Sequence, residues 1–194
     1  MTRPNRRDLI LTGLAAALPL RAFAQTEEDW VTPEEFLPRP VRFQDPQEPG
    51  TLIVDPDYFA LYLVLTPRRG MQYSVGVGRG KLYESGWFTL GAKKEWPSWT
   101  PTKAMIERDP DHYARYADGM PGGPKNPLGA RALYLFDETG ADTFLRIHGT
   151  PEPWTIGSAV SNGCVRLSNR DIAELYDQVE LGAPVLLLPK VESA

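Results

Sequence analysis

Proline and glycine interrupt this chain so often that long helices have little room. Nineteen prolines and 17 glycines are spread over 194 residues. Each proline removes an N–H donor and fixes φ, and each glycine opens turn conformations that other residues avoid. Between these breaks the apolar residues gather into runs of strand length. Leu52-Ile53-Val54, Tyr58 to Leu65, Met71 to Gly78, Trp87 to Leu90, Ala132 to Phe136 and Thr143 to Ile147 are six of them, and Val185 to Leu188 lies between Pro184 and Pro189. One segment has the helical period. Ser168 suits an N-cap with Asp171 three residues on, Ile172, Leu175, Tyr176 and Val179 share a face, and Gly182 supplies a stop. The pattern predicts a mostly β sandwich or barrel with one helix in the C-terminal half.

Two stretches lie outside this rhythm. Residues 92–130 carry Pro97, Pro101, Pro110, Pro121, Pro124 and Pro127 with Gly119, Gly122 and Gly123. A segment this long without a period reads as a lid or binding loop. Residues 25–50 hold Pro33, Pro38, Pro40, Pro46 and Pro49 among acidic residues and read as an extended lead-in, pinned to the domain of residues 51–190 by Trp30, Phe36 and Phe43.

The first 24 residues read as an export signal. Arg3, Arg6 and Arg7 form a basic start, Leu9 to Leu20 an apolar run, and Ala22-Phe23-Ala24 a small-x-small cleavage site, so that Gln25 would begin the mature chain. Arg6-Arg7 resembles a twin-arginine signal, and a plain secretory signal is the alternative. Either places the protein in the periplasm. Without these residues, 17 basic and 24 acidic ones remain, a net charge of −7. Such a chain is ill suited to sequence-independent nucleic-acid binding, which needs clustered cations.

Cys164 is the only cysteine. It can form no internal disulfide, and a leftover thiol in an oxidising compartment is a candidate reactive group. In most proteins a lone cysteine is a small buried hydrophobe, but its surroundings here supply the parts of a nucleophile. His148 closes a predicted strand sixteen residues earlier and can serve as base. Ser161-Asn162-Gly163 immediately precedes the thiol, in a turn able to aim backbone N–H groups at an oxyanion, with Gly163 permitting close approach. Arg166 can hold a carboxylate with its planar fork. The bland alternatives are a strand-end histidine and a surface arginine in an ordinary ion pair. One cysteine and two histidines are too few for a usual zinc site, and no metal or organic cofactor is implied.

These residues resemble the catalytic domain of the L,D-transpeptidases, the YkuD fold. That family has a strand-end histidine in an Ile-His-Gly-Thr context, then a [Ser/Thr]-His-Gly-Cys motif leading into an apolar residue and Arg or Asn. This chain offers Ile147-His148-Gly149-Thr150, then Ser161, Gly163, Cys164 and Arg166. Trp96 to Thr102 and Pro121 to Leu135 are also similar to family segments, so the likeness covers about residues 51–189. Asn162 departs from it, standing where the common motif has histidine.

The resemblance implies a periplasmic enzyme acting on peptidoglycan tetrapeptide stems as donor and acceptor. Cys164 would form a thioester acyl-enzyme, and an amine of a second stem would resolve it as a 3→3 cross-link. His148 would be the base, oriented by the carbonyl of Gly149. Amides around Asn162 to Cys164 would hold the oxyanion, with Ser161 and Arg166 in support and residues 103–130 as lid. Three alternatives stay open: attachment of an outer-membrane protein to peptidoglycan, transfer to water as a carboxypeptidase or amidase, and a weakly catalytic wall-binding module.

Overall fold

The computed structural model describes Glu27 and residues 30–191, so the predicted export segment lies outside the described residues. The strands are β1 (Arg39–Arg42), β2 (Leu52–Asp55), β3 (Ala60–Thr66), β4 (Arg69–Ser74), β5 (Val77–Gly78), β6 (Gly86–Glu95), β7 (Arg131–Phe136), β8 (Asp142–His148), β9 (Ala159–Ser161), β10 (Val165–Arg166) and β11 (Pro184–Leu187). Nine form one mixed sheet in the order β1-β4-β3-β2-β11-β6-β7-β8-β10, and β5 pairs with β9 in a second. Neighbours are antiparallel except β2–β11 and β8–β10 in the large sheet and β5–β9 in the small one.

The chain that follows β4, next to one end of the nine-strand order, bridges to β10 at the other end. There the N–H of Gly76 donates to Arg166 O at 2.9 Å and that of Arg166 donates to Gly76 O at 2.8 Å. The sheet buries an apolar cluster drawn from both halves of the chain, including Leu61, Tyr73, Leu133, Leu135, Ile147 and Val185. This is the barrel-like architecture that the short apolar runs predict. Leu135 on β7 is fully buried, so Leu135→Ala is expected to lower the urea-unfolding free energy by about 2–5 kcal/mol through lost transfer energy and a residual cavity.

The helix forms as α3 (Asn169–Gln178), with the Ser168 side chain accepting from the Asp171 N–H at 3.0 Å. Ile172 and Leu175 face the core. It ends before the glycine stop at Gly182, because the Lys93 ammonium, reaching over from β6, takes the carbonyls of Tyr176 and Val179.

Three expectations need correction. The segment 92–130 is not devoid of regular structure: β6 runs to Glu95, and α1 (Lys103–Arg108) and α2 (Pro110–Tyr113) follow. Both helices start on side-chain caps, Thr102 accepting from Met105 N–H and Asp109 from His112 N–H. The predicted single helix is therefore one of three α-helices among the described residues. The lead-in also contributes a strand, since β1 pairs antiparallel with β4 from Arg39↔Gln72 to Arg42↔Arg69. Finally, the run from Tyr58 becomes a strand only at Ala60, because Phe59 turns the backbone at φ 48° and leaves Tyr58 exposed.

Candidate active site

The site begins with the parallel pairing of β8 and β10, Val165 opposite Ile147 and Arg166 opposite His148. Parallel neighbours need a long crossover, and residues 149–164 provide it, through a 3-10 turn at Pro153–Thr155 and strand β9. This return sets Cys164, at the entrance to β10, alongside β8. Two strands brace His148: Ala132 of β7 lies opposite it on one side, and on the other its carbonyl accepts from Leu167 N–H at 2.8 Å. Cys164 and His148 both line one cleft of about 640 Å³.

His148 is 3% exposed. Its Nδ1 lies 2.5 Å from Gly149 O. A carbonyl can only accept, so Nδ1 carries the proton and Nε2 is left as the base. Burial, reinforced by the positive charges of Arg166 and Arg146, lowers the imidazole pKa to about 3, against the pull of the Gly149 and Leu128 carbonyls. Burial also pushes the Cys164 thiol above its ordinary range, partly offset by the Arg146 backbone N–H and the charges of Arg146 and Arg166. Both effects disfavour ionisation, so the resting pair is neutral thiol and neutral imidazole.

The turn before the thiol is tightly specified. Ser161 Oγ donates to Cys164 O at 2.5 Å and accepts from the Gly163 N–H at 3.2 Å. Of the three amides expected to face an oxyanion, that of Gly163 is thus engaged. Those of Asn162 and Cys164 make no hydrogen bond among the described residues. Gly163 sits at φ 128°, and a Cβ there would lie 2.9 Å from Leu82 O. Gly163→Ala is expected to slow Cys164 alkylation by iodoacetamide at least tenfold and to cost about 1–3 kcal/mol of stability. Gly149 is fixed by proximity: a Cβ on it would lie 2.3 Å from Asn169 Oδ1.

Arg166 lines the same cleft, with an ion pair to Glu152 at 3.6 Å. The lid helices also contribute, through Met105, Arg108, His112 and Tyr113. Of the tryptophans at 96, 99 and 154, Trp99 alone lines the cleft, packed against Tyr113 and Tyr116. Among the described residues, no three His, Cys, Asp or Glu side chains gather as a metal site would need.

Sequence reasoning missed Phe144 and Arg146. Arg146 is clamped by Asp142 through two contacts at 2.6 and 2.8 Å, and the same carboxylate accepts the Phe144 N–H at 2.9 Å. Phe144 adopts φ 62° and turns its carbonyl to within 3.8 Å of Cys164 Sγ. A signal for both existed. In a strand, residues two apart share a face, so Phe144, Arg146 and His148 fall on one side of β8 once His148 is chosen.

The family model of the L,D-transpeptidase catalytic domain, YkuD, matches residues 49–187. The probable L,D-transpeptidase YbiS of Escherichia coli K12 is 39% identical over 119 residues, covering 57% of this chain and 35% of its own. The chain spans about a third of the length of the curated Escherichia coli relatives it matches. A crystal structure from Brucella melitensis, titled a probable carnitine operon oxidoreductase, is 51% identical with a TM-score of 0.55, over 81% of this chain and 96% of that one. L,D-transpeptidase 3 of Mycobacterium tuberculosis shares the fold at 17% identity and a TM-score of 0.53, over 72% of this chain and 60% of that one. The oxidoreductase name of the Brucella protein stands apart from the other descriptions, whereas a thiol, an oriented base and free amides at one cleft are the parts of acyl transfer. With the family model matched across its main sheet and its site, this chain belongs to the L,D-transpeptidase catalytic-domain family.

Proposed function

We propose that this protein is an exported, periplasmic, cysteine-dependent L,D-transpeptidase that forms 3→3 cross-links between peptidoglycan stems. The observation that carries the reading is the β8–β10 pairing, which brings Cys164 into one cleft with a buried imidazole whose Nδ1 is held by the Gly149 carbonyl. In the first step Sγ attacks the amide carbonyl between the diamino acid and terminal D-alanine of a tetrapeptide. His148 Nε2 takes the thiol proton as the S–C bond forms. The carbonyl oxygen gains charge opposite the amides of Asn162 and Cys164. As the C–N bond breaks, the imidazolium returns the proton to the departing amine, leaving a thioester. An amine from a second stem then attacks, with Nε2 again as base, and its collapse frees the thiol.

Because the resting pair is neutral, proton transfer accompanies attack and does not precede it. This matches a site that desolvates both groups. The test is incubation with tetrapeptide muropeptides, followed by mass spectrometry. Cross-linked dimers with loss of D-alanine are expected. Tripeptides alone would replace transfer by hydrolysis, and unchanged muropeptides would overturn the reading.

A further inference from the structure

We propose that Arg79 and Arg108 form a carboxylate-binding site beside Cys164, held together by the side chain of Asn162. Asn162 Oδ1 accepts from Arg108 Nη1 at 2.8 Å and from Arg79 Nη2 at 3.3 Å, while its Nδ2 donates to the Tyr113 hydroxyl at 2.7 Å. The amide orientation follows from these partners, because guanidinium groups can only donate. Two positive charges thus converge on one neutral oxygen.

Among the described residues, neither Arg79 nor Arg108 is ion-paired, although Glu84 lines the cleft. The other two arginines near the thiol differ in this respect, Arg146 being paired with Asp142 and Arg166 with Glu152. Like charges brought together repel, and an anion seated between them converts that repulsion into attraction. Each guanidinium gives one donor to Asn162 and keeps others for a ligand. The pair is also built in place. The Arg79 N–H donates to Ser161 O at 3.0 Å, and Arg108 closes helix α1. Both Arg108 and Asn162 line the cleft that holds Cys164.

This gives the departure at position 162 a physical meaning. A carbonyl oxygen has two lone pairs and can accept from two guanidinium groups, whereas a neutral imidazole has one acceptor nitrogen. Histidine here could not gather the same pair. Under the proposed activity, the ligand is the carboxylate of the substrate's C-terminal residue, which lies next to the amide that Cys164 attacks. That identification rests on the proposed activity, and the anion site does not.

The single cysteine allows a test that needs no turnover. Iodoacetate and iodoacetamide have nearly the same shape and differ by one negative charge. Their alkylation rates at Cys164 in the purified protein are compared by mass spectrometry. The ratio of iodoacetate to iodoacetamide is expected to fall roughly tenfold in Arg79→Gln and in Arg108→Gln, the scale of one charge-assisted hydrogen bond. It is expected to fall in Asn162→Ala as well, and to stay at the native value in Arg42→Gln, which removes the same charge from β1. A ratio unchanged in both arginine variants, or lowered equally by Arg42→Gln, overturns the site. A protein inert toward muropeptides would still give a clear result here.

Discussion

Cys164→Ala is expected to reduce acyl transfer by a factor on the order of 10⁴ or more, and to abolish the covalent adduct that a carbapenem forms with the native protein. Removing a nucleophile removes the acyl-enzyme route, leaving the amides and the cleft to supply what remains. The variant is expected to fold normally, because Cys164 is half-buried at the cleft and its Sγ lies a long 3.8 Å from Phe144 O. Thermal unfolding should move by a few degrees at most. Cys164→Ser tests the same point with an intact shape, since a hydroxyl is far less acidic than a thiol and the desolvated site does not lower its pKa. Intact-mass measurement after carbapenem exposure checks both. An adduct that persists in the alanine variant would remove Cys164 from the mechanism.

The second large effect concerns His148. His148→Gln is expected to lower transfer by about 10²- to 10⁴-fold, the usual contribution of a general base, while glutamine can still donate to Gly149 O. The native pH profile follows from the depressed imidazole pKa. A base with a pKa of about 3 stays unprotonated through mildly acidic solution, so the rate should show no acid limb near pH 6.5, where an ordinary histidine would impose one. Stability carries the opposite signature. Between pH 6.5 and 3 the unfolded imidazole binds a proton that the folded one refuses. The unfolded state is thereby favoured as pH falls, with a slope approaching about 1.4 kcal/mol per pH unit from this one group. Urea unfolding at several pH values should show the decline, and His148→Gln should flatten it.

Much of this was legible in the sequence, and the remainder was hidden for physical reasons. Strands β2, β7 and β8 and helix α3 carry enough apolar residues in a period to declare themselves. Strands β5, β9 and β10 have two or three residues each, too few for any period; β5 and β9 form by pairing with each other, and β10 by pairing with β8. Helices α1 and α2 are set by Thr102 and Asp109 as caps, in a segment whose prolines suggested irregular chain. Cys164 and His148 could be singled out from residue type and spacing as the candidate nucleophile and base. The partners of Asn162 could not, because Arg79, Arg108 and Tyr113 come from 49 to 83 residues away.

The bridge between Gly76 and Arg166 bears on what keeps Cys164 in place. Those residues are ninety positions apart, and contacts of such separation form late because much chain must be gathered first. Cys164 stands two residues from that seam. Strand β10 thus has His148 opposite Arg166 on one side and Gly76 on the other, so the chain that carries Cys164 is held from two directions. Loosening that bridge is therefore expected to loosen the position of the thiol, although neither Gly76 nor Arg166 carries it.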